Sequence, residues 1–163
     1  MILKVVIEGI LLGTLLLLLC AFGIRNGAVH MVFLYHKDVQ DKSMRDGMIT
    51  RKKIRRNAML FKGLAIPVYF AFVLVSVYVV NGARGFLPGF WQMFAILSVV
   101  NLIDRLVIDG YWVGHTKAWE IPGTEDMKPY IDRKDKIGKW LFGTVGFAVI
   151  SAVLSGIMAP VLR

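Results

Sequence analysis

Four stretches of predominantly apolar residues, roughly 5–24, 60–80, 88–110 and 139–161, limit what this chain can fold into. Each has the roughly 20 residues a helix needs to cross about 30 Å of hydrocarbon. Inside lipid the backbone must satisfy its own hydrogen bonds, and the sequence has no run of strand-like alternation from which a barrel could be built. The expected fold class is therefore all-α, a four-transmembrane-helix bundle forming one integral membrane domain over 1–163. A hydrophobic share of 56% and a mean hydropathy of +0.62 agree with a chain that lives in lipid.

The net charge of +9 belongs mostly to the connections. Residues 23–62 hold ten Lys and Arg, residues 81–87 only Arg84, and residues 104–139 seven. The positive-inside bias then puts both long connections, 25–59 and 111–138, on the cytoplasmic side of the plasma membrane, with the two termini and the "NGARGFLPG" turn outside. On this reading the basic excess implies anionic lipid headgroups as partners, and no nucleic acid. The start of the chain resembles a secretory leader in having Lys4 before an apolar run. Glu8 interrupts that run, "LLLC" lacks the small residue lipoprotein processing requires, and further spans follow, so cleavage is not expected. Cys20 sits among leucines and reads as a small packing residue.

The first connection carries its own signals. "KDVQDKSMRDG" reads as a short polar helix stopped by Gly47, and Thr50 as the N-cap of a basic helix, "RKKIRRNAMLFKG", that runs into the second span. Together they form a short helical basic cytoplasmic collar. Arg51, Lys52, Lys53, Arg55 and Arg56 are its expected contacts with anionic lipid. Gly23 and Gly27 allow a bend after the first span, and Pro67 is expected to kink the second. Gly9 with Gly13, and Ala148, Ala152 and Gly156, are small-residue stripes expected to pack helices within the bundle. Trp91 marks one interface, and Trp112, Trp119 and Trp140 the other. Lys4 and Glu8, four apart, are expected to pair. His30 and His36, six apart, fall on different helical faces.

The third span is the candidate site. At helical spacing positions 101, 104, 105, 108 and 109 share one side, so Asn101, Asp104, Arg105 and Asp109 must face the protein interior or water rather than lipid. Arg105 and Asp109, one turn apart, are expected to pair, and Asp104 to bond a neighbouring helix or the collar. The segment "YWVGHTKAWEIPGTED" then gathers His115, Lys117 and Glu120 near Trp112 and Trp119. Histidine is the side chain whose ordinary titration lies near neutrality, which suits His115 to acid–base work if Asp109 or Glu120 orients it. The expected catalytic set is Asp109, His115 and Glu120. Asn101, Asp104, Arg105, Lys117, Trp112 and Trp119 form the expected ligand-binding set, in which Arg105 and Lys117 hold an anion.

No cofactor is expected; a divalent ion held by Asp104, Asp109, His115 and Glu120 is the alternative, in the absence of HExxH or a tandem acidic motif. The chain has no GxxxxGK[ST], GxGxxG or nucleophile elbow. The expected function is binding, and conversion where the acid–base pair acts, of an amphiphilic or anionic ligand at the inner leaflet. Two alternatives are an oligomeric ion or solute path along the third span, for which Glu8 supplies a second intramembrane acid, and a non-catalytic membrane subunit whose charged loops dock a partner.

Overall fold

The computed structural model of the chain describes residues 2–131 and 133–161, without the side chain of Arg133. The described residues are helical with no strand. Helix α1 (Ile2–Ile24) is followed by a short 3-10 stretch (Ala28–Leu34), α2 (Lys37–Arg45), α3 (Arg51–Val80), α4 (Phe86–His115) and α5 (Arg133–Val161). All but α2 are long and apolar enough to cross a membrane.

The local signals act where the sequence places them. Thr50 caps α3, its hydroxyl accepting from the Lys53 N–H at 3.3 Å. Gly47, at φ +74°, ends α2: its N–H bonds the Met44 carbonyl and the Met48 N–H bonds that of Ser43. That is the Schellman pattern, in which a left-handed residue turns two amides back onto orphan carbonyls. α3 continues through Pro67. Gly27, at φ +107°, separates α1 from the 3-10 stretch.

α4 is the central helix, with α1 on one side and α5 on the other. A Cβ on Gly9 would lie 2.6 Å from the Val99 side chain, and one on Gly13 2.4 Å from Ile103. The two glycines thus admit α4, and α1 and α4 run in the same direction. On α5 the close contacts differ from the expected stripe. Gly156 is exposed and a Cβ there would meet nothing, whereas Gly143 lies against Asn101, and Ser151 and Ser155 are fully buried. Ala152 and Gly156 share the sequence spacing of a contact stripe, but the helix turns its hydroxyl-bearing face inward, with the Tyr78 hydroxyl 3.5 Å from that of Ser155.

Two apolar cores result. One joins α1, α3 and α4 in mid-bundle through Leu12, Val73, Val77, Met93 and Ile96. The other lies at the end carrying the two long connections, where Val32, Val39, Ile54, Ile108, Trp119 and Ile121 come together. Trp119 therefore belongs to a core rather than an interface, and is fully buried. Tyr35 stacks on Tyr130 at 4.8 Å and donates to the Trp119 carbonyl at 2.7 Å, tying the first connection to the second. Burial pushes the Tyr35 phenol well above its ordinary range, so it remains a donor. At the opposite end Lys4 and Glu8 do not pair. Lys4 donates to the Val80 carbonyl, and the buried Glu8 accepts from Asn81 at 2.9 Å, because the turn after α3 brings both groups within reach.

Candidate functional site

The last part of α4, Ile103–Trp112, is π-helical. Such segments are rare, occur mostly as single turns, and are frequent at functional sites. A wider turn with i→i+5 bonding brings residues five apart onto one side, as Asp104 and Asp109 are. Gly110 permits it: a Cβ there would stand 3.0 Å from the Arg105 carbonyl oxygen, five residues back. Ile108 and Asp109 are buried while Leu106 and Val107 are exposed, so the expected polar face does turn inward.

On that face Arg105 bridges both acids, one guanidinium nitrogen on Asp104 and another on Asp109. Asp104 thus pairs within its own helix, not with another helix or the first connection, because the adjacent arginine reaches it first. Lys139 of α5 approaches Asp109 at 4.0 Å. Asn101 faces α5, 3.4 Å from the Thr144 hydroxyl and 3.5 Å from the Trp140 carbonyl.

These groups line a cavity of about 550 Å³ at the end with the long connections, within the range of small-molecule sites. Lys62, Arg105 and Lys139 set three positive charges on its wall against the two carboxylates, leaving one positive charge in excess. Cys20, Phe33, Phe61, Phe142 and Trp119 supply apolar surface. Behind this wall Arg105 Nε and the Trp119 indole nitrogen, both out of reach of solvent, have no acceptor among the described residues. Phe147 and Ile150 close the far end, and the same two side chains line a second, wholly apolar space of about 190 Å³ between α3 and α5, with Ile66, Tyr69 and Leu154. A polar chamber therefore adjoins an apolar groove. The buried Tyr69 hydroxyl also lacks a partner among the described residues.

The remaining expected residues are placed elsewhere. His115 is exposed, its Nδ1 3.0 Å from the Gly110 carbonyl and its ring 5.9 Å from that of Tyr111. Glu120 pairs with Lys128 across the second connection. Asp109, His115 and Glu120 are thus not brought into mutual contact: the histidine folds back on the carbonyl-rich end of its own helix, and the glutamate finds a nearer cation. No group of three His, Cys, Asp or Glu able to hold a metal ion occurs among the described residues, and the four expected ligands do not converge. Lys117 is exposed and does not line the chamber. Trp112 meets Trp119 edge-on at 5.2 Å. Arg51, Lys52, Arg55 and Arg56 are exposed on the first turns of α3, with Lys53 half-buried, and none forms an ion pair among the described residues. His36 instead meets Asp135 of α5. Between Glu8 and Asn101 lies the mid-bundle apolar core, with no polar file joining them among the described residues.

Lys62, Lys139, Phe147 and Ile150 are not among the site residues expected from the sequence. A lysine inside the margin of each of two otherwise apolar spans was the available signal, since such a residue needs water or a polar partner.

No family model matches this chain, and neither does any curated protein or solved structure.

Proposed function

We propose that the protein is a multi-pass membrane protein that binds an amphiphile with an anionic head, taken up laterally from the inner leaflet. Both long connections then lie on the cytoplasmic side, as their share of Lys and Arg favours. The observation that carries the reading is the junction at Phe147 and Ile150 of a charged chamber and an apolar groove. A head bearing negative charge would answer the excess positive charge on the chamber wall. An acyl or isoprenoid chain would fill the space between α3 and α5. The exposed basic turn of α3 would meet neighbouring anionic headgroups, each residue worth about 1 kcal/mol.

The test is the amphiphile that copurifies with the chain, extracted into organic solvent and quantified by mass spectrometry. Ile150→Trp fills the junction and is expected to reduce retention about tenfold, the effect of roughly 1.4 kcal/mol. Val149→Trp, on an exposed position next to it, is expected to retain the wild-type amount. Equal retention in the two variants would remove the junction from the site and the reading with it.

A further inference from the structure

A third cavity, of about 370 Å³, lies against the polar chamber, and Asp109, Val113 and Ile131 line both. Its floor is buried: Asp109, Tyr130 and Ile131. Its rim is exposed, formed by Gly114, His115, Lys128 and Pro129, so it opens among the second connection rather than between α3 and α5. Lys136, on an early turn of α5, completes the wall.

The two ends of this cavity call for different chemistry. At the rim two lysine ammonium groups, of Lys128 and Lys136, present donors. Lys128 is held charged above its ordinary range by its hydrogen bond to Glu120. His115 places Nδ1 on the Gly110 carbonyl at 3.0 Å, which makes that nitrogen the protonated one and leaves Nε2 as an acceptor beside the lysines. At the floor stands a carboxylate, its charge already met from the chamber side by Arg105, with Lys139 at 4.0 Å. The Tyr130 hydroxyl is engaged with Thr124 at 2.9 Å. Asp109 is thus the acceptor at the floor, and it suits a neutral donor such as a hydroxyl. An anion at one end of a ligand and a hydroxyl at the other would satisfy both ends.

We propose that this cavity binds a small soluble phosphate monoester carrying a hydroxyl group, the phosphate at Lys128 and Lys136 and the hydroxyl against Asp109. The inference rests on the amphiphile reading and deepens it: Asp109 becomes the wall at which a water-borne ligand and the amphiphile's head meet. Lysine serves phosphate as a point charge, and hydrogen bonds to charged groups are the stronger ones.

The full chain in phosphatidylcholine nanodiscs, titrated calorimetrically with glycerol 3-phosphate and with inorganic phosphate, tests this. Glycerol 3-phosphate is expected to bind about tenfold more tightly than inorganic phosphate, through the added hydroxyl bond to Asp109. The Lys128→Gln/Lys136→Gln variant is expected to lose about tenfold or more of that affinity while retaining its copurified amphiphile. Lys136→Gln alone, which spares the Glu120 pair, is expected to lose several-fold and guards against misfolding of the double variant. No binding, equal affinity for the two probes, or affinity unchanged in both variants overturns the proposal. So does phosphate-dependent binding seen only when the nanodiscs contain phosphatidic acid, which would assign the cavity to a lipid headgroup. Amphiphile retention is read on the same preparations, so its absence beside intact glycerol 3-phosphate binding counts against the amphiphile reading and not against the soluble ligand.

Discussion

Replacing Arg105 with methionine is expected to destabilise the protein by about 3–5 kcal/mol, the cost of removing one partner from a buried ion network. The guanidinium serves two carboxylates at once, and Asp109 is buried on the central helix. Lys139, at 4.0 Å from Asp109, makes a longer contact to one of the two acids. Methionine keeps much of the side chain's volume, so the loss reports the charge and not a cavity. Unfolding titrations in mixed micelles measure it. Arg105→Met/Asp109→Asn is expected to recover part of the loss, because one of the two stranded carboxylates is then neutral. Arg105→Lys is expected to fall between wild type and methionine, a point charge being unable to fork between two acids. A loss under about 1 kcal/mol in Arg105→Met would mean that the acids are solvated as surface groups are, and the buried ion network drawn on this face would have to be abandoned.

Gly9→Leu and Gly13→Leu are each expected to cost about 3 kcal/mol or to prevent folding, since overpacking a filled contact typically costs 1–3 kcal/mol and more when the backbone must move. Even the first carbon of a side chain would lie 2.6 Å from Val99 or 2.4 Å from Ile103. The contact at Gly9 also includes the Ile96 carbonyl at 3.1 Å, which cannot step aside as a side-chain tip can. Gly156→Ala supplies the contrast: with nothing in reach of the new methyl group, it is expected to leave stability unchanged or to raise it by about 0.5–1 kcal/mol through helix propensity. The same unfolding assay reads all three. Comparable losses at Gly13 and Gly156 would contradict the α1–α4 contact on which the position of the polar face depends.

The site was partly legible before the fold was known. The spacing of Asn101, Asp104, Arg105 and Asp109 required an inward face, and those four residues do line one chamber. The expected acid–base partnership with His115 and Glu120 depended on how a turn-rich segment folds over eleven residues. No periodicity governs such a segment, and each group took the nearest partner, a helix-end carbonyl for one and Lys128 for the other. The π-helical turn was invisible because helical spacing and π spacing both put polar residues on one side over so short a run; only the backbone shows which of them is wound wider.

What the amino-acid sequence determined by itself was local: four helices of spanning length, the Thr50 cap, the Gly47 stop, and an inward polar face on α4. Each follows from hydropathy or bonding within a few turns of chain, where a residue's neighbours are known in advance. The tertiary structure alone decided that Lys62 and Lys139 would line one chamber with Arg105, that Phe147 and Ile150 would join a polar chamber to an apolar groove, and that Asp109 would form a wall of two cavities at once. Those meetings join residues from 62 to 150 on three helices, and such distances are set by how glycines and hydroxyls let whole helices approach, not by any property of the residues that meet.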